Sequence, residues 1–391
     1  MKKSSIPFVG LHAHSVAGSP FDALGYPQDH MDFAYDNGCE ALALTDHGNM
    51  NGMAYQVLHA KKMKSEGKNF KPIFGVEAYF IPSIDRWREE RDKAREDKKR
   101  ANEIKDSTTM SIENEAETKR SKSILNQRSH LVLLAQNQTG LNNIFSMISK
   151  SNSDEYFFRF PRVDYEVLRE HNEGVIASSA CMGGVYAANF WKFWDGEKQE
   201  ITDKEACLDA FRETTRQMID IFGDRWYGEL QWHTDKKQHM INKLVIQMHN
   251  EFGIKLISTA DSHYPSQEAW KDRELYKRLG FLGKGKPDWL SNELPESVAE
   301  VGYELYPKNG DQMWESYKHY SQLNDETYDD DLIMDSITET HNIAFNRIED
   351  FMPDNEVRLP SFVVPDGYTA DAALETISLE SLKNLGLLDN S

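Results

Sequence analysis

The chain has 391 residues, a formal net charge of −19, 39% hydrophobic residues and 28% charged residues. That length exceeds what one core usually fills, so a large domain with a smaller one is expected, and the apolar content excludes a disordered chain. The acidity excludes a protein that grips DNA through a general basic surface, because neutralising phosphates needs clustered Lys and Arg. Any nucleic-acid contact has to be local.

In chain order, seven apolar runs predict strands: FVGLHAHS from Phe8, EALALTDH from Glu40, KPIFGVEAYF from Lys71, HLVLLAQN from His130, EGVIASSAC from Glu173, WYGELQWH from Trp226 and KLISTADSHY from Lys255. Helical stretches such as DHMDFAYDNG and NKLVIQMHNEFG lie between them. Such alternation implies right-handed βαβ units and a mainly parallel sheet, and seven units suggest a barrel one short of the usual eight.

Between Ile84 and Arg128 the pattern is interrupted by an insertion with 13 Lys/Arg against 11 Asp/Glu. Its dense charges at helical spacing suit a solvated, projecting helical hairpin, with a DNA-contacting arm as the alternative. After His263 the alternation stops. Residues Asp331 to Asp350 are predicted to be helical, MPDNEVRLPSFVVPDGYTA is an extended connector, and AALETISLESLKNLGLL is a final amphipathic helix. Cys39, Cys181 and Cys207 lack paired spacing, and no run approaches the ~18 apolar residues of a membrane span. A cytoplasmic protein without membrane association is expected.

The polar residues beside these runs carry the chemistry. His12 and His14 alternate along a predicted strand, so both imidazoles fall on one face and can chelate a metal, although a lone His-x-His is equally a pair of ordinary strand histidines. Asp46 and His47 follow ALALT where a strand meets a glycine turn. Helix or turn capping would explain Asp46 but not His47. Glu77 stands inside GVEAYF, where a buried carboxylate needs a cation or a hydrogen-bond donor. Asp261 and His263 repeat the alternating spacing at another strand end. Cys181, between a strand and two glycines, reads from its surroundings as either a small buried residue or a ligand. An acidic site that gathers divalent cations can then bind a phosphate.

Taken in order, FVGLHAHS, ALALTDHGNMNG, PIFGVEAYF, SHLVLLAQN, FPRVDYEVLREHNEGVIASSACMGGV, FGDRWYGELQWH, FGIKLISTADSHY and LPSFVVPDGYTA resemble the PHP (polymerase and histidinol phosphatase) domain. The resemblance is to the form found at the N-terminus of bacterial-type DNA polymerase III alpha subunits. It implies an α/β fold, a distorted seven-stranded βα barrel with a smaller, mostly helical C-terminal extension. Residues 1–280 would form the phosphoesterase-like domain, with 84–128 inserted, and 281–391 would lead towards the polymerase palm, whose acidic catalytic motif is not found here.

The resemblance also implies up to three divalent metals, zinc or manganese, with iron compatible. His12, His14, Glu77 and Asp261 look like one site; Glu77, His130 and Cys181 a second; Asp22, His47 and His263 a third. Asp46, Glu77, Asp261 and His263 are expected to serve the chemistry, Asp46 as a supporting acid. The implied activity is 3′ to 5′ exonuclease removal of nucleotides from a DNA 3′ end during replication. The implied partners are the remaining polymerase portion or other replisome proteins. A histidinol-phosphate-type phosphatase and a non-catalytic, metal-stabilised docking module are the rival readings.

Overall fold

A computed structural model describes residues 4–105, 126–282, 293–354, 356 and 362–387. The second half of the predicted insertion, GKGKPDWL and part of the extended connector lie outside the described residues. By packing, the chain divides into two units, Met1–Pro353 and Asp354–Ser391. Among the described residues no helix is long and apolar enough to cross a membrane.

Six of the predicted runs form one sheet: β1 (Ala41–Leu44), β2 (Lys71–Phe80), β3 (Ser129–Ala135), β4 (Val175–Ser178), then, after a small hairpin of β5 (Trp194–Asp195) and β6 (Glu200–Ile201), β7 (Trp226–Leu230) and β8 (Lys255–Ser258). Their spatial order is β1-β2-β3-β4-β7-β8. The expected seventh strand is corrected. Residues from Phe8 to Ser15 form no regular strand but make single parallel bridges, Gly10 to Leu42 and Ala13 to Ser262. Ala43 N donates to Gly10 O at 2.8 Å, and His14 N donates to Ser262 O at 2.7 Å. The segment therefore links the two edges of the sheet.

The expectation of a mainly parallel sheet holds except at one strand. β1 and β2, β4 and β7, and β7 and β8 are parallel, whereas β3 runs against both β2 and β4. Strands buried on both faces show unbroken apolar runs, and β3 shows why: Leu131, Leu133 and Ala135 join one apolar cluster while Val132 and Leu134 join another. In β2, Phe74, Val76, Ala78 and Phe80 join the first cluster and Ile73 the second. Strand alternation therefore puts Glu77 on the side of Ile73, facing the interior of the curled sheet.

Helices cover the outer face. Gln138–Ser151 starts where the Asn137 side chain accepts a hydrogen bond from Gly140 N, and it buries Leu141, Ile144 and Met147 on one stripe. Lys204–Phe222 is capped by Asp203 and buries Cys207, Phe211 and Met218. Lys236–Phe252 ends at Gly253 in the left-handed conformation, φ +69°, which turns the chain into β8. The helix Ile84–Lys105 is not wholly solvated as expected, because its first turns bury Ile84, Trp87 and Arg91. The helix predicted from Asp331 runs over Asp330–Asn342 and then widens into a π turn, Ile343–Arg347; both pack within the first unit. In the second unit the helix Ala370–Asn384 is capped by Thr369.

Leu133 has no exposed surface and sits among apolar neighbours in the middle of β3. Leu133→Ala should cost about 2–5 kcal/mol through lost transfer energy and a residual cavity. Urea unfolding should show this as a lowered midpoint with an unchanged slope.

Candidate metal centre

Antiparallel β3 brings its first residues to the same rim as the last residues of its parallel neighbours. His130, at the start of β3, is paired with Tyr79 near the end of β2. His47 follows β1, Cys181 follows β4, and Asp261 and His263 follow β8. His12 and His14 come from the linking segment, His14 being fastened to Ser262. Asp261 adopts the left-handed conformation at φ +48°, rare for a non-glycine residue and the kind of strain that persists where a site demands it.

Glu77 lies at the centre and is 0% exposed. Its Oε1 is 3.2 Å from His12 Nε2, 3.1 Å from His130 Nδ1 and 4.0 Å from Cys181 Sγ. Its Oε2 is 2.6 Å from His47 Nδ1 and 3.7 Å from His14 Nε2. Asp261 Oδ1 lies 3.2 Å from both His12 Nε2 and His14 Nε2. Asp22 Oδ2 lies 3.1 Å from His47 Nε2 and 3.6 Å from His263 Nε2, and Cys181 Sγ is 3.7 Å from His130 Nδ1. All nine residues expected as ligands thus meet in one cluster. Compact triads form within it from His14, His47 and His263, from His12, His14 and Asp261, and from His47, Glu77 and His130.

The fit of this cluster to cations rests on orphaned atoms. His12 Nε2, His14 Nε2, His47 Nδ1, Glu77 Oε2 and Asp261 Oδ1 are buried and have no hydrogen-bond partner. They approach one another at ion-pair distances, but none is placed as donor and acceptor in hydrogen-bonding geometry. A buried polar atom left unpaired costs about 1–3 kcal/mol, and more when charged. A divalent cation would satisfy several of them at once. Neutral imidazoles, carboxylates and a thiolate form a donor set that suits zinc and remains compatible with manganese or iron.

Electrostatics point the same way. Burial would raise the Glu77 carboxyl, but the charges of His130, His12 and His47 hold it well below the usual carboxylate range. Burial would lower His12, yet Asp261, Glu229 and Glu77 outweigh it and keep its proton bound far above the ordinary histidine range. His14 is pushed well down by burial and by His47 and His263. Burial and then the charges of Asp261 and Glu77 drive the Cys181 thiol well up. Only a bound cation would make that sulfur a thiolate ligand.

Asp46 is placed apart from the orphaned atoms. Its carboxylate accepts hydrogen bonds from Ser15 N at 2.6 Å, Ser15 Oγ at 2.9 Å and Ser19 Oγ at 3.0 Å. Gly18 lets this loop wrap the acid, since a Cβ there would lie 2.4 Å from the Asp46 Cβ. Burial lifts the Asp46 carboxyl to about 6 against those hydrogen bonds. Asp46 thus braces the loop that carries Ser15 and Ser19, next to His14.

Two residues were missed by sequence reasoning. Glu229 in β7 accepts from His12 at 2.7 Å, Ser178 at 2.7 Å, Thr259 at 2.5 Å and Gln231 at 3.1 Å. It fixes the His12 ring so that Nε2 faces the cluster, the arrangement typical of carboxylates behind metal-bound histidines. A carboxylate inside the apolar run WYGEL is the same signal that marks Glu77. Arg273 is buried and grips Asp22 twice, through Nε to its carbonyl and through the terminal nitrogen to Oδ1, each at 2.8 Å. One of two arginines in the polar helix Trp270–Leu279 offers no comparable signal.

The PHP domain model matches residues 10–233, more than half of the chain. The chain belongs to the PHP domain family. Its curled α/β sheet, with its helices, is of PHP type. Similar curated relatives are DNA polymerase III subunits alpha. That of Thermus aquaticus is 28% identical over 387 residues, covering 98% of this chain and 26% of the relative. That of Aquifex aeolicus is 30% identical over 263 residues, covering 67% of this chain and 18% of the relative. This PHP chain therefore spans about a fifth to a quarter of the length of these relatives. Among solved structures, an amidohydrolase from Chromobacterium violaceum with bound sulfate covers 68% of this chain and 96% of its own at 12% identity, with a TM-score of 0.34.

Replacing Glu229 by Gln keeps its size but removes the charge that supports His12. Zinc or manganese affinity should fall about 10–100-fold, the usual cost of losing such an outer partner. Metal titration checks this against an unchanged circular dichroism spectrum, and affinity equal to the parent's would show that Glu229 is only structural.

Proposed function

We propose that this PHP chain is a metal-dependent phosphoesterase that removes nucleotides from DNA 3′ ends, as a part of a replicative polymerase. The observation that carries the reading is the set of buried, unpartnered nitrogen and oxygen atoms of His12, His14, His47, Glu77 and Asp261 turned towards one another. Similarity along nearly the whole chain to polymerase alpha subunits supports DNA as the substrate over a small phosphomonoester.

On this reading His12, His14, Glu77 and Asp261 hold one metal, Glu77, His130 and Cys181 a second, and Asp22, His47 and His263 a third. Bound metals of this kind supply a water of lowered pKa and stabilise charge on phosphate oxygens. The chain's own residues do the positioning. Glu229 and Ser178 orient the His12 side, Arg273 fixes Asp22, and Asp46 holds the Ser15–Ser19 loop against His14. Asp261, beside His12 and His14, and His263, beside Asp22, are assigned the handling of a proton. The catalytic unit is assigned to residues 1–280, and 281–391 to the connection with the remaining polymerase portion, the proposed partner.

The test is nucleotide release from a 3′-labelled primer by the full chain with Mn²⁺ or Zn²⁺. His12→Ala and Asp261→Ala should each reduce release at least about 100-fold, as expected when a ligand of a catalytic metal is lost. Absence of release by the parent chain, or release insensitive to both substitutions, would overturn the proposal. Turnover of histidinol phosphate exceeding that of DNA would point to the small-molecule phosphatase, and bound metal without hydrolysis of any phosphoester would point to the docking module.

A further inference from the structure

Beside His130 the metal centre adjoins arginines and aromatic rings that the proposed metal chemistry does not use. The Tyr79 ring lies nearly parallel to that of His47 at 6.0 Å and edge-on to His130 at 5.4 Å. Phe160 meets Tyr79 at 5.3 Å. The Arg128 guanidinium is 3.8 Å from the Phe160 ring centre and 5.3 Å from that of Tyr79. One step farther out, Arg159 covers Phe158 at 5.4 Å. Arg162 is buried beneath this group, donating to the carbonyls of Phe158 and Phe160 at 3.0 and 2.9 Å.

Three features mark this group as built for an anion. The chain has 64 acidic residues against 45 Lys and Arg, yet neither Arg128 nor Arg159 has a carboxylate within ion-pair distance among the described residues. Arg128 Nε is buried with no hydrogen-bond partner, although a terminal nitrogen donates to Asn126 O at 3.1 Å. The Arg162 guanidinium, disfavoured first by burial and then by the positive charges of Arg128 and Arg91, is brought down to about 10. Mutual repulsion of this kind is relieved by an incoming anion.

The rings narrow the choice of anion. Aromatic rings run from His47 outward through Tyr79 to Phe160, and the planar Arg128 guanidinium lies against the last two; rings and guanidinium side by side take unstacked bases and phosphates together. A duplex keeps its bases stacked and offers only its phosphates. An acidic peptide would supply charge but few rings.

We propose that Tyr79, Arg128, Arg159 and Phe160 form a platform for single-stranded nucleic acid, which holds the nucleotides preceding the one at the metal centre. The idea rests on the phosphoesterase reading for its direction towards the centre but not for binding itself. This platform would be the local basic contact that an acidic chain still permits.

Binding of a fluorescein-labelled decathymidylate to the full chain, followed by anisotropy with EDTA present, tests the platform without any metal. Phe160→Ala should weaken binding about tenfold, as for loss of one base-stacking ring. Arg128→Ala should weaken it similarly and make its salt dependence shallower by about one phosphate contact. Arg159→Ala, at an exposed position, should weaken it about threefold with the same change in slope. Loss of all three effects, no binding by the parent chain at low salt, or equal competition by polyglutamate or by a blunt duplex of the same length would overturn the platform. Hydrolysis of bis(p-nitrophenyl) phosphate by the parent chain with Mn²⁺ reads the metal centre separately. Oligonucleotide binding without that hydrolysis sinks the phosphoesterase and leaves the platform standing; hydrolysis with variants that bind like the parent sinks the platform alone.

Discussion

A carboxylate with no exposed surface, in the middle of a strand whose neighbours are Val, Ala and Phe, sets the terms for the rest of this molecule. Burying Glu77 without compensation would cost more than most single interactions return. Compensation has to come from positive charge, and every nearby element contributes: His12 and His14 from the linking segment, His47 from the loop after β1, His130 from β3. His12 and His14 are themselves buried and His47 largely so, and they in turn need Asp261, Asp22 and Glu229. The result is a mutually dependent set of charges whose remaining unsatisfied atoms all turn inward. A PHP domain built on such a set is organised around its polar centre as much as around its apolar core.

Much of this was legible in the sequence, and the physical reason differs from element to element. Unbroken apolar runs such as HLVLLA can only be strands covered on both faces, so six of the seven strands could be read directly. The run at Phe8 also pairs, but only at single bridges, because its neighbours sit at the two sheet edges rather than along one partner. Strand direction was not legible. Nothing in the composition of β3 says that it runs backwards, and its long insertion before Arg128 allows either sense. One clue existed: His130 precedes its apolar run whereas the other polar residues end theirs. That apparent misfit is what an antiparallel strand requires if its histidine is to reach the common rim.

The site residues divide in a similar way. Paired spacings, His12 with His14 and Asp261 with His263, were visible because alternation is a geometric signal. Cys181, His130 and Asp22 entered through family resemblance, since none has a local pattern that separates a ligand from a packed or capping residue. Glu229 carries the same signal as Glu77, a carboxylate inside an apolar run. Arg273 and the arginines around Phe160 lie beyond sequence reasoning. Their meaning depends on which carboxylates they meet or miss, and that is known only when the chain is folded.

The segment from Phe8 to Ser15 acts as a hasp across the sheet. It carries His12 and His14 into the cluster and, with the same few residues, covers the open backbone edges of β1 and of the chain beyond β8. Unpaired strand edges invite pairing with other chains. Anything that unfastens the histidines therefore also bares two edges, so the chemistry of the centre and the protein's resistance to self-association are governed by one short stretch of backbone.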